Sequence, residues 1–163
     1  MVTISKATVA DNIFETFYDL ISDNVTDPNP PEDGSSRKWI FSSYPDVPIK
    51  GSADEVSKVK DIYYPVITVE SPDIEWEVLS IGRNWVNARL LVTVYSTNKS
   101  QTVQLMDSVV EAIETRRRTD LLPIKLVKLN LTAQSSDVLF RDEMKVHSRD
   151  SELTVSFSYK RTL

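Results

Sequence analysis

Between Thr8 and Val25 the apolar residues Val9, Ile13, Phe17, Leu20 and Ile21 recur at steps of three and four, which places them on one stripe of a helix. Phe14 and Tyr18 widen that stripe, while Asp11, Glu15, Asp19 and Asp23 fall mostly off it. The helix must stop before Asp27-Pro28-Asn29-Pro30-Pro31-Glu32-Asp33-Gly34, because proline fixes φ and lacks the N–H that regular structure needs. An exposed, mobile, acidic loop over about 26–36 is expected there. Arg37 to Tyr44, with Trp39, Ile40 and Phe41, reads as a short strand ended by Pro45 and Pro48. A polar insertion follows over about 45–60, where Ser52-Ala53-Asp54-Glu55 can open one helical turn.

Asp61 to Glu70 is a β-rich run, with Ile62, Tyr63, Tyr64, Val66, Ile67 and Val69, ended by Ser71-Pro72-Asp73. Ile74, Trp76 and Val78 then alternate with Glu75 and Glu77, predicting a half-buried strand, and Gly82-Arg83-Asn84 supplies a turn. The clearest strand comes next. Val86, Ala88, Leu90, Val92 and Val94 point one way, and Trp85, Asn87, Arg89, Leu91, Thr93 and Tyr95 the other. This hairpin is expected at the centre of the sheet.

Asn98 or Ser100 can cap a second helix bearing Val103, Met106, Val109, Val110 and Ile113 on one face, with Gln101 placed to close a capping box. Arg116-Arg117-Arg118 falls in its last turn, where cations meet the negative end of the helix dipole. Past Pro123, Val127, Leu129 and Leu131 alternate with polar residues, as do Leu153, Val155, Phe157 and Tyr159. Both runs predict strands with one buried face. Helix, three or four strands, helix, two strands is the order of an α+β fold: a mainly antiparallel sheet with two α-helices packed on one face, in a single domain over 1–163. Such a sheet leaves Trp85, Leu91 and Tyr95 partly wet unless something covers them.

The chain has 163 residues, enough to bury a real core, and 40% hydrophobic against 26% charged residues marks it as globular. Its net charge of −5 argues against a dedicated nucleic-acid binder, which needs cations to displace phosphate counterions. The charge is uneven: residues 1–60 carry 10 acids and 6 bases, residues 61–163 carry 14 and 13. The absence of cysteine excludes disulfides, thiolate metal sites and cysteine nucleophiles. No apolar run approaches the ~20 residues that span a bilayer, and the N-terminus lacks a signal peptide's apolar region, so a soluble protein made in the cytoplasm is expected. The N-x-S/T triplets at Asn24, Asn98 and Asn130 are then chance occurrences.

Catalytic material is sparse. His147 is the only histidine and reads as a surface hairpin residue; Gly34, Gly51 and Gly82 are isolated, which leaves no glycine-rich phosphate cradle. No serine lies in a G-x-S-x-G elbow. Glu75 and Glu77 share a strand face and could hold a cation or a proton, but the preferred reading is a solvated strand face opposite Trp76. The sequence therefore assigns no catalytic residue, metal ligand or cofactor. What it has in surplus is aromatic rings. Trp39, Phe41, Tyr44, Tyr63, Tyr64, Trp85 and Tyr95 exceed what a two-layer core needs when the first helix already supplies Phe14, Phe17 and Tyr18. Large amphipathic rings are what protein contacts use. The candidate interface is Trp39, Phe41, Tyr44, Trp85, Leu91, Tyr95, Arg116 and Arg117, the two arginines being suited to acidic residues of a neighbouring subunit.

The first amphipathic helix, the strand Tyr63-Tyr64-Pro65-Val66-Ile67-Thr68-Val69, the passage from Leu91 to Ser100 into the helix Val103–Ile113, and the closing strand Leu153–Tyr159 together resemble the tail terminator (tail-completion) proteins of long-tailed phages and related viruses. The resemblance spans nearly the whole chain and rests on element order. It implies a virion protein of the neck, forming a hexameric ring that caps the tail tube and joins it to the head-side connector, with DNA passing through the lumen without specific binding and no membrane involved. Its partners would be the tail tube protein and the connector protein. The region 28–60 is longer and more acidic than compact members of that family would carry. Other neck or baseplate components stay open as alternatives, as does a small-molecule-binding ferredoxin-like module with a pocket near Trp85 and Tyr95. An enzyme using Glu75 and Glu77 is the remaining alternative.

Overall fold

A computed structural model describes residues 9–56, 61–80, 83–117, 119 and 128–160. The expected turn glycine Gly82, the cation Arg118, and Pro123 and Val127 lie outside them. The fold is α+β, with two helices and a mostly antiparallel, mixed sheet of six strands. Helix α1 (Val9–Asn24) buries Val9, Ile13, Phe17, Leu20 and Ile21, the residues its periodicity singled out. Strand β1 is only Ile40–Phe41, much shorter than the run from Arg37 to Tyr44, and β2 is Ile49–Lys50. A single 3-10 turn at Ala53–Glu55 sits in the polar insertion.

The run 61–70 is two strands rather than one: β3 (Ile62–Tyr63) and β4 (Val66–Val69), separated at the cis Tyr64–Pro65 peptide. Proline cannot donate to a ladder, so the chain changes sheets there. β3 pairs in parallel with β2, while β4 joins the main sheet between β1 and the long strand β6 (Arg83–Ser96). β5 (Asp73–Ser80) follows β4 along the same edge of β6, β4 opposite 92–95 and β5 opposite 83–89. So β6 is central, as expected, but its hairpin partner β5 lies at an edge. Helix α2 (Lys99–Arg116) leads to β7 (Lys128–Arg141) and β8 (Met144–Lys160), which complete the order β1-β4-β6-β8-β7.

The β7–β8 hairpin is far longer than the two short alternating runs predicted, because its middle is polar on both faces and shows no period. Asp142 and Glu143 form its two-residue turn with φ of +49° and +65°, the left-handed pair that a tight hairpin matched to strand twist requires. His147 is part of β8, opposite Ser96 on one side and Val138 on the other.

Helix α2 is capped by the Asn98 side chain, which accepts from the N–H groups of Ser100 and Gln101 at 2.9 and 3.4 Å. The capping box expected of Gln101 is closed indirectly. The Asn98 N–H donates to Ser96 Oγ, whose hydroxyl donates to Gln101 Oε1 at 2.6 Å. Leu105, Met106, Val109 and Ile113 of α2 join α1, the even residues of β6 and Leu153 and Val155 of β8 in one core on one face of the sheet. Each such side chain contributes roughly 1.5–3 kcal/mol on burial.

The Pro-rich loop is exposed in part, and its first residues are tied to the body of the fold. Arg37 and Asp27 form a salt bridge at 2.6 Å with their side chains 8% and 14% exposed, and a second contact at 2.8 Å makes it bidentate. The guanidinium also donates to the Tyr63 and Pro65 carbonyls and lies 3.9 Å over the Tyr63 ring. The Tyr63 hydroxyl in turn donates to the Asn29 carbonyl at 2.9 Å. These contacts anchor the start of the proline run, at Asp27 and Asn29, to Arg37 and Tyr63.

Candidate functional site

The sheet face opposite the helices is covered at one end. Near the β4 end it carries a second small core of Ile49, Tyr64, Val66 and Val146, with Phe41, Tyr44, Ile62, Tyr95 and Met144 packed around it. Residues 41–56 and 61–64, many of them read as a polar insertion, bring the β2–β3 ladder over this end. Tyr44 meets Tyr95 edge to face at 4.9 Å between centroids, and its hydroxyl shares a 2.6 Å hydrogen bond with that of Tyr64. Arg141 lies 5.0 Å over the Tyr44 ring. Burial pushes the Tyr64 phenol well above its ordinary value, helped by the Tyr44 hydroxyl, and pushes up Tyr95 as well. The Tyr64 and Tyr95 phenols therefore keep their protons at physiological pH, and the contacts of these rings are structural.

The candidate interface residues accordingly separate. Trp39 is 8% exposed in the helix-side core, so it is corrected to a core residue. Tyr44 and Tyr95 pack on each other, and Phe41 packs beside them, so these rings serve chiefly to cover the second face. The ring of Tyr95, expected to flank a ligand pocket, is occupied by Tyr44. Trp85 and Leu91 are half-buried on the same face, and the Trp85 indole N–H donates to Asn87 Oδ1 at 3.1 Å. Arg116 is exposed and reaches back to Asn24 at 3.0 Å; Arg117 sits 3.9 Å from Glu114. The structure does not bring the eight residues into one patch.

Exposed apolar surface lies elsewhere. The large hydrophobic residues exposed among the described residues are Val47, Trp76, Val78, Val138 and Phe140. The last four are on two strands that end the sheet on opposite sides, β5 and β7. Trp76 is 36% exposed and Val78 73%, so the half-buried strand expected of Ile74, Trp76 and Val78 holds only for Ile74. Phe140 is 78% exposed. The registers place all four on the helix side of the sheet: Trp76 opposite Val86, Val78 opposite Asn84, Val138 opposite His147 and Phe140 opposite Lys145. Sequence reasoning missed the β7 pair, although Val138-Leu139-Phe140 between Asp137 and the charged turn Arg141-Asp142-Glu143 was a visible signal.

Polar sites are modest. A groove of about 350 Å³ between the end of α1 and α2 is lined by Asn24, Thr26, Ser108, Glu111, Ala112, Thr115 and Arg116. Glu75 and Glu77 are exposed on β5, and Glu75 faces Arg89 at 3.5 Å. No three acidic or histidine side chains among the described residues come together as a metal site, and no helix there is long and apolar enough to cross a membrane. Compared with models of known protein families and with curated proteins, the chain matches none.

Proposed function

We propose that this chain is a structural subunit of a virus particle, a tail terminator that assembles with its own copies into a ring capping the tail tube and joining it to the head-side connector. The observation that carries the reading is that the sheet ends on both sides in an edge strand with apolar residues in solvent, Trp76 and Val78 on β5 and Val138 and Phe140 on β7. The two edges differ. Contacts between unlike edges of identical chains run head to tail, the arrangement from which cyclic assemblies are built. The element order that resembles tail terminators supports the same reading. A net charge of −5 also suits a channel through which DNA slides, since an acidic wall offers phosphates no counterion release.

Sedimentation of the purified chain, negative-stain imaging and detection of the protein in purified particles test the proposal. Ring-shaped assemblies of several chains and presence in particles at a few copies are expected. A chain that stays monomeric at high concentration and is missing from particles would sink it.

A further inference from the structure

The hydrogen-bonding direction of each edge strand is fixed by the registers. The two-residue turn at Asp142-Glu143 makes Arg141 and Met144 a hydrogen-bonded pair, so by alternation the backbone groups of Phe140 and Val138 point away from β8. The Val138 N–H is indeed taken by its neighbour's carboxylate, Asp137 Oδ1, at 2.7 Å. Carried across β8 and β6, the same alternation turns the odd residues of β6 toward β4 and β5. The Glu70 N–H donating to the Leu91 carbonyl at 3.0 Å shows that it does. Asp73, Glu75 and Glu77 therefore bond β6, and the backbone groups of Trp76 and Val78 point outward.

Both edges thus present, in the same alternation and on the same sheet face, two large apolar residues two positions apart. From β5 through β6 and β8 to β7 each strand is antiparallel to the next, so β5 of a second copy continues the alternation beyond β7. We propose that two copies of this chain join by antiparallel addition of β7 of one to β5 of the other, with Phe140 opposite Trp76 and Val138 opposite Val78. In that register Arg141 falls opposite Glu75, so the apolar pairs on one face come with an opposite-charge pair on the other. Pairing ends at the Asp142-Glu143 turn, opposite Ile74 and Asp73 of the second copy and short of its β4.

Pairing β7 with β7 about a two-fold axis would also match Val138 to Phe140, but it would leave Trp76 and Val78 in solvent. Joining β5 to β7 covers all four and leaves each copy with one edge for the next. This contact rests on the reading of the chain as a self-assembling subunit and names the surface that does it.

The chain has no cysteine, which makes disulfide trapping clean. Glu77 and Leu139 face each other in this register as a non-hydrogen-bonded pair, where side chains approach closest. Mixing a Glu77→Cys chain with a Leu139→Cys chain under mild oxidation should give a cross-linked dimer, and the double variant a ladder of higher species. A Ser108→Cys chain, altered on the exposed side of α2, serves as the control for random collision. Phe140→Asp should weaken self-association of the otherwise native chain about tenfold or more, with an unchanged melting curve. Cross-linking no better than the control overturns the contact, as does a Leu139→Cys chain that dimerises with itself more readily than with Glu77→Cys. A native chain that sediments as an oligomer without the cross-link overturns this contact alone. A native chain that stays monomeric without it overturns the subunit reading as well.

Discussion

The helix-covered face of the sheet buries apolar side chains in one continuous cluster that includes Val9, Phe17, Leu90, Met106 and Val155. The opposite face buries the apolar Ile49, Tyr64, Val66 and Val146 beside the polar Thr68, Thr93 and Ser148, and holds them with hydroxyls, a guanidinium and a short parallel ladder. The first face is non-directional: many side chains contribute, and each is replaceable by another of similar volume. The second depends on a few geometrically fixed partners. Its apolar area is small, so the Tyr44–Tyr64 hydrogen bond and the contacts of Arg37 with Asp27, Tyr63 and Pro65 carry a larger share of what holds β2 and β3 in place.

The sharpest way to break the first face is Phe17→Ala in α1. The side chain is fully buried, and its loss should lower unfolding free energy by about 3–5 kcal/mol in urea titration, with the whole sheet melting together. Arg37→Ala acts on the second face and should cost about 3 kcal/mol, because Asp27 and two carbonyls lose a buried partner. Its distinguishing result is local. Amides near Ile49 and Ile62 should exchange faster than those of β6 in hydrogen-exchange measurements.

Tyr44→Phe removes one hydroxyl of the Tyr44–Tyr64 pair and should cost about 1 kcal/mol. High pH addresses the same pair without mutation. Tyr64 in the folded chain holds its proton above its ordinary value of 10.0, so the unfolded chain releases protons first. Stability is then full below about pH 10 and falls as pH rises beyond it. A Tyr64→Phe chain should show a shallower fall in pH-dependent denaturation. At the small end, Phe140→Ser on the β7 edge should change stability by less than about 0.5 kcal/mol, since nothing folded is lost there.

The unequal legibility of the two faces follows from the same contrast. The stripe of α1 and the alternation of β6 are local periods, visible because every buried residue on them is apolar. The second face has no period: Ile49, Tyr64 and Val146 lie on three separate segments, and their company depends on where the chain turns at Pro65. Tyr44, Tyr64 and Tyr95, rings that the helix-side core does not hold, close the second face. Tyr44 and Tyr95 cover each other, whereas the apolar residues in solvent sit on edges whose status as edges is set by strand order.

The pattern of residues alone determined the two helices, the buried stripe of α1, the central strand and the α+β class, because each follows from the geometry of a single element; on α2 the buried stripe is turned toward Leu105 and Ala112, leaving Val103 and Val110 half-buried. Tertiary structure alone decided that Trp39 belongs to the core, that β2 and β3 close the second face, and that β5 and β7 end the sheet. Those outcomes depend on which segments become neighbours, and neighbourhood is a property of the folded chain that no local spacing encodes.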